Sequence, residues 1–270
     1  MSPWQKLLER PHAGDHFVQL YEAGDDSLAS NVGQYLGDGL LSGGGALVVV
    51  TPDHQALFSR RLEQLGADVT GLVASERLIF LDAHETMAQF MVEGQPDWVR
   101  FENTVQKAMG RVRSRRGEGL RAYGEMVGIL WQAKQFGAAV RLEQFWNRIL
   151  EQSSFSLYSA YSIDVFGKDY QLSNLEGVLC THTHLVPTQL NGSLETALDR
   201  SMDEILGVGA DALRLLIKSN YRPGSAVMPD AENIIFWLRK NLPERADEII
   251  SLARSYYQLL LHPSASPIDI

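Results

Sequence analysis

Cys180-Thr-His182-Thr-His184 is the most metal-like string in the chain. In an extended segment its three alternate side chains would share one face. Zinc sites commonly draw four ligands from two separated clusters. The remaining histidines (His12, His16, His54, His84 and His262) supply no second pair. The string therefore reads as a polar helix end or a pocket wall. No metal is expected; Cys180, His182 and His184 are the candidates if one binds.

Other chemistry-bearing residues are scattered. Glu125 and Glu143 could act as a carboxylate pair, although Glu143, on a helix, can equally face solvent or bond Arg141 or Arg148. Ser42 and Ser162 lack the GxSxG setting of an activated serine. Cys180 has no helix start or basic neighbour to activate it. The glycines of Gly37-Asp-Gly39-Leu-Leu-Ser-Gly43-Gly44-Gly45 lie between a helix and a strand. A phosphate loop needs strand-then-helix order and a lysine, so these glycines read as a helix end and tight turn. Arg111-Val-Arg113-Ser-Arg115-Arg116 is a solvated helix end with cations placed for the dipole, or a contact for phosphate or an acidic partner. With no catalytic constellation, an enzyme is not expected, and neither is a cofactor.

The elements that must position these residues follow from pattern. The chain has 270 residues, 45% hydrophobic and 21% charged, which is neither disordered nor fibrous. Apolar runs such as Ala46–Val50 fall far short of the ~20 residues of a membrane helix. The start has no signal-peptide pattern. A lone cysteine excludes an intrachain disulfide and suits a reducing compartment. A net charge of −9 argues against general nucleic-acid binding. A soluble cytoplasmic protein, with neither nucleic acid nor membrane as partner, is the expectation.

Strands are predicted at His16–Tyr21, Ala46–Thr51, Leu78–Asp82, Leu120–Gly124 and Phe155–Ser162. Helices are predicted at Ser27–Leu41, Pro52–Leu65, Glu85–Met91, Asp97–Arg113 and Met126–Glu151, the last interrupted near Phe136-Gly137. Strand, helix and strand at these spacings imply right-handed crossovers and a mostly parallel sheet covered on both faces. After Pro187 the pattern is helical. Leu198, Met202, Ile205, Leu213 and Leu216 mark one helix across Gly207 and Gly209, and residues 220–229 a loop. Ile234, Leu238 and Leu242 mark a second helix, and Ala246 to Leu260 a third.

In open parallel sheets, ligands sit outside the carboxyl ends of the strands. Those ends are Tyr21-Glu22, Thr51-Pro-Asp53-His54, Asp82-Ala-His84, Gly124-Glu125 and Ser162-Ile-Asp164. Asp53 and Asp164 can be helix caps or site residues; Glu22 and Glu125 are poorer caps and better site candidates. Tyr21, Tyr123, Trp131, Phe145, Trp146, Tyr158 and Tyr161 lie near this crevice, mostly as core, with a subset able to line an apolar pocket.

Asp15-His-Phe-Val-Gln-Leu-Tyr-Glu22 and Leu47-Val-Val-Val-Thr-Pro-Asp-His54 resemble the opening of the MEDS sensory-domain family. Tyr123-Gly-Glu-Met-Val-Gly-Ile-Leu-Trp131, Ala139-Val-Arg-Leu-Glu143 and Phe145-Trp-Asn147 resemble its most distinctive block. Leu157-Tyr-Ser-Ala-Tyr-Ser162 and Cys180–His184 resemble its closing segments. The resemblance covers about residues 12–188. It implies a RecA- or KaiC-like three-layer α/β sandwich used in bacterial signal transduction, with small organic molecules as signals. Position by position it points to His16, Glu22, Gly124, Glu125, Trp131, Glu143 and His182.

The expected organisation is thus a sensory α/β domain over 12–188 and an all-α output or dimerisation region over 191–262. The expected ligand site is His16, Tyr21, Glu22, Thr51, His54, Glu125, Trp131, Glu143 and His182. The expected partners are a small organic ligand, a histidine kinase or regulator, and a second copy of the chain. The alternative is a nucleotide-binding protein or weak NTPase of RecA/KaiC-like descent.

Overall fold

A computed structural model describes residues 2–22, 26–115, 119–189, 192–220 and 227–262. The first half comprises α1 (Pro3–Glu9), β1 (His16–Tyr21), α2 (Ser27–Ser42), β2 (Gly45–Val50), α3 (Pro52–Gln64) and α4 (Val69–Ala74). It continues through β3 (Leu78–Asp82), α5 (Ala83–Ala88), β4 (Met91–Val92), β5 (Gln95–Pro96) and α6 (Trp98–Met109). Then come β6 (Leu120–Gly124), α7 (Met126–Gln132), α8 (Phe136–Gln152), β7 (Phe155–Ser162), α9 (Leu172–Thr181) and β8 (His184–Val186). The C-terminal region is α10 (Ser193–Leu206), α11 (Ala210–Asn220), α12 (Asp230–Asn241) and α13 (Pro243–Leu261).

Six strands form a parallel sheet in the order β3-β2-β6-β7-β1-β8. Its strands are buried on both faces, which explains their near-continuous apolar runs. Along β2, Ala46, Val48 and Val50 join a core beneath α2 and α3, whereas Leu47 and Val49 join the core on the opposite face. That second core is continuous from α6–α9 into the C-terminal helices, where Ile234, Phe236, Leu238 and Ile249 pack. The result is a three-layer α/β arrangement with a helical C-terminal region.

Five strands lie where the pattern predicts them; the two-residue strands β4 and β5 are additions, Met91 entering β4 where the expected helix would end, and so is β8. It has only three residues and gains its place by pairing Phe17, Val18 and Gln19 of β1 with His184, Leu185 and Val186. The glycine turn also matches expectation. Gly43 closes α2 at φ 107°, a left-handed cap that glycine adopts without steric cost.

Four corrections concern helices. Residues 193–220 do not form one helix: Gly207 takes φ 56° and a 3₁₀ turn separates α10 from α11, so the C-terminal region contains four helices among the described residues. The break between α7 and α8 falls at residues 133–135, where Lys134 takes φ 62°, and Phe136 already begins α8. Cys180 lies in the last turn of α9, in keeping with the helix-end reading, because Leu175, Val178 and Leu179 bury one face of that helix. Thr51, not Asp53, occupies the N-cap position of α3, with Asp53 in its first turn. Asp164 caps no helix; its Oδ1 accepts the Phe166 N–H at 2.8 Å. Residues 221–226 of the expected loop and Arg116 of the basic run lie outside the described residues. Arg111 and Arg113 of that run pair with Glu76.

Candidate functional site

The expected site residues separate into two networks and two outliers. The first network lies between β2 and β6. From β2 the chain crosses to β3 on one side, and from β6 to β7 on the other, so this is a topological switch point, the usual crevice of open α/β sheets. Glu125, directly after β6, reaches across it. Its Oε2 accepts the Thr51 backbone N–H at 2.9 Å and the Thr51 hydroxyl at 3.1 Å. Its Oε1 meets His54 Nδ1 at 2.5 Å. That hydrogen bond raises the His54 pKa above its ordinary 6.5, against the opposing effect of burial. Tyr21 sits edge-on to His54, and burial with the Glu125 charge pushes its phenol upward.

The second network is buried on the sheet face covered by α8 and α9. Alternation along β1 turns His16 to the same side as Val18 and Leu20, and the β1–β7 register sets Ser159 and Tyr161 beside them. Glu143 descends from the middle of α8. His182 follows the last turn of α9, with its Nδ1 2.6 Å from the Val178 carbonyl. Both histidines and Glu143 are at most 2% exposed.

The contacts fix the ring orientations. His16 Nδ1 faces two acceptors, Asn147 Oδ1 at 2.8 Å and the Thr181 carbonyl at 3.1 Å, while the Asn147 amide donates to that same carbonyl at 2.7 Å. Each Nδ1 therefore carries the proton in the neutral ring, and each Nε2 turns inward. His16 Nε2 lies 3.4 Å from Glu143 Oε2, and His182 Nε2 lies 3.2 Å from Oε1. The Tyr161 hydroxyl donates to Oε1 at 2.7 Å and the Ser159 hydroxyl to Oε2 at 3.4 Å. Burial and the neighbouring His182 lower the His16 pKa. Burial alone would raise Glu143; with the rings protonated, the charge of His182 and hydrogen bonds from both histidines hold it below the usual carboxylate range.

Cys180, His182 and His184 do not converge. His182 is buried with Glu143, His184 belongs to β8, and Cys180 is exposed. A helix end, not an extended segment, separates the three side chains. Glu22 stands apart from both networks and forms an ion pair with Arg254 of α13.

Two residues of the expected ligand site line open cavities among the described residues: Glu22, in a smaller one of about 520 Å³ beside α13, and Trp131. The Trp131 cavity, about 1050 Å³, lies outside the carboxyl end of β7. Trp131, Phe136, Val140 and Gln144 of α7 and α8 form one wall, and Asn174, Gly177 and Val178 of α9 form the other. Ile163, Asp164, Gly167 and Asp169 supply the rim. Its size and the apolar surfaces of Trp131, Phe136, Val140, Phe145 and Val178 suit a small organic ligand, and Lys134, Arg141, Asp164 and Asp169 place charges of both signs around it. Pattern reading missed α9 and hence this cavity; the recurrence of Leu172, Leu175 and Val178 was the available signal.

The rim is held from behind by the C-terminal helices. Arg239 of α12 donates to the Phe166 and Gly167 carbonyls at 2.9 and 2.8 Å. Arg254 of α13 pairs with Asp164 at 3.1 Å. Phe166 packs against Tyr257, and Tyr170 stacks on Phe236.

Among the described residues, no helix is long and apolar enough to cross a membrane. Comparison with curated proteins finds no match. The family model of the methanogen/methylotroph, DcmR sensory domain matches residues 15–183, a span that contains both networks and the walls of the cavity. The chain belongs to this MEDS family of sensory domains.

Proposed function

We propose that this chain is a non-catalytic bacterial signal-transduction sensor that takes a small organic ligand into the cavity between α8 and α9 and signals through α10–α13 to a protein partner. The observation that carries the proposal is the loop at residues 163–171. It forms the rim of the cavity and is also gripped by Arg239, Arg254, Tyr257 and Phe236. A ligand that contacts this loop changes the surface on which the C-terminal helices rest. The required coupling is modest, since about 1–3 kcal/mol is typical between linked sites.

The sensory domain corresponds to residues 12–188 and the output region to 191–262. Leu215, Leu216, Leu259 and Leu260 are exposed on the output helices, which supports their engaging a kinase, a regulator or a second copy. The parallel six-stranded sheet supports RecA- or KaiC-like descent. Nucleotide binding gains no support from Gly43–Gly45, which join α2 to the first residue of β2 at the opposite end of the sheet from the crevice.

The test is a calorimetric screen of short-chain alcohols, carboxylates and halogenated hydrocarbons against the full chain, with magnesium-ATP as the nucleotide arm. Val140→Trp, which adds bulk to the α8 wall of the cavity, should weaken binding of any hit. Hydrogen exchange should show altered protection in α12 and α13 on binding. Ligand binding undiminished by Val140→Trp, or binding that leaves the C-terminal helices unchanged, would refute the proposal.

A further inference from the structure

We infer that His16, Glu143 and His182 form a binding site for a divalent transition-metal ion, with zinc or ferrous iron as the fitting class. The inference stands independently of the ligand reading above.

Three lone-pair-bearing atoms converge here without solvent. The Nε2 of each histidine and the Glu143 carboxylate lie within 4.8 Å of one another. Both Nδ1 atoms are committed elsewhere, to the Val178 carbonyl and to Asn147 with the Thr181 carbonyl. A metal-ligating histidine characteristically uses its second nitrogen in this way, since the outer hydrogen bond fixes the tautomer and the aim of the ring. With the rings neutral, two Nε2 lone pairs face a carboxylate, and a cation placed among the three inner atoms would satisfy all of them at once.

Distances and chemistry agree with that assignment. Bonds of about 2.0–2.1 Å in a tetrahedral site put neighbouring ligand atoms roughly 3.3 Å apart. The two histidine–carboxylate separations are 3.4 and 3.2 Å. Two imidazole nitrogens and one carboxylate oxygen suit zinc or ferrous iron, whereas magnesium and calcium take oxygen ligands. The hydroxyls of Tyr161 and Ser159 already bond the carboxylate and stand next to any remaining coordination position.

The site joins three elements that no local sequence relation connects: the start of β1, the middle of α8 and the end of α9. Because α8 and α9 are the two walls of the cavity, a bound ion would fix their separation. The metal is therefore assigned a positioning role, and no reaction step is attached to it.

The experiment uses the full chain, expressed with zinc or iron supplementation, and a second sample refolded in the presence of zinc or cobalt. Elemental analysis should find one equivalent of metal per chain, and loading should raise the thermal midpoint. The cobalt form should show visible d–d bands, and X-ray absorption should show a nitrogen/oxygen shell with two imidazoles. Glu143→Gln and His182→Asn should each weaken zinc binding by at least about tenfold. Absence of stoichiometric metal from both wild-type samples would overturn the assignment. So would metal binding that both variants retain, as expected for exposed His84, or a sulfur ligand in the absorption spectrum. Should the variants fail to fold, the wild-type coordination shell alone decides.

Discussion

Replacing Glu232 by glutamine should make the protein more stable at pH 8 and leave it nearly unchanged near pH 4.5. Glu232 lies in the first turn of α12 and is 1% exposed. Its Oε1 accepts the Thr188 backbone N–H at 2.8 Å, tying α12 to the segment that follows β8. Its Oε2 has no hydrogen-bond partner among the described residues. Burial raises its pKa to about 7 from an ordinary 4.5, the Thr188 and Glu232 backbone N–H groups pull against this, and nearby Glu195 adds to the rise.

The sign follows from proton linkage. Between pH 4.5 and about 7 the folded state holds a proton that the unfolded chain releases, so stability falls as pH rises and levels off above the folded pKa. At about 1.4 kcal/mol for each pH unit, the full penalty is about 3 kcal/mol. Glutamine keeps the oxygen that Thr188 needs and resembles the protonated acid, so it removes the penalty. Urea unfolding of wild type and Glu232→Gln at pH 4.5, 6 and 8 reads the difference directly, since other titrating groups contribute equally to both. Parallel stability curves across that range would refute the reasoning. A variant less stable than wild type at pH 8 would refute it more strongly, by showing that the carboxylate is favourably solvated or paired.

His54 should titrate above 6.5 in a histidine NMR experiment, and Glu125→Gln should lower its midpoint, because the hydrogen bond to Glu125 is the leading cause of the rise. The associated stabilisation is present at low pH and fades as pH climbs through the folded pKa of His54. Gly128→Ala should destabilise by about 1–3 kcal/mol in denaturant titration. A Cβ at that position would stand 2.6 Å from the Ala160 carbonyl, outweighing the gain of up to about 1 kcal/mol that alanine brings to a helix. Arg239→Leu should cost about 1–3 kcal/mol by stranding the Phe166 and Gly167 carbonyls. In a ligand-responsive chain it should also reduce the hydrogen-exchange response of α12 without abolishing ligand binding.

Much of the sheet was legible because a strand buried on both faces announces itself locally, as in Ala46–Val50 and Leu78–Leu81. β8 was not: a three-residue strand draws its stability from β1, more than 160 residues earlier, and Thr183 clamps that junction through the His16 backbone. Helix breaks were only partly legible. Gly207 could have extended a helix at modest cost, and its positive φ reflects where α11 must turn to pack. Residue types identified the site better than residue spacing did. The Cys180–His184 string attracted attention through its alternation, yet alternation has meaning only in a strand, and α9 ends inside the string.

Glu143 shows what kind of sequence signal would have been sharper. It falls on the apolar face of α8, among Ala139, Leu142, Trp146 and Ile149, where a solvated glutamate has no place. Asn147 sits one turn further along that face, so two polar side chains are turned inward together. A carboxylate placed there must meet donors from another element, and His16, His182 and Tyr161 are those donors. The surrounding core cannot be repacked to release it, since removing either histidine leaves a buried charge short of partners, which is strongly destabilising. Both Nδ1 atoms point outward to acceptors, so both Nε2 atoms are aimed at Glu143, with His16 Nε2 also 3.3 Å from the Ser159 hydroxyl. That aim serves two states: rings protonated at Nε2 that donate to the carboxylate, or neutral rings whose Nε2 atoms share a cation with it. Stoichiometric metal in the purified chain decides between a satisfied core and a metal centre.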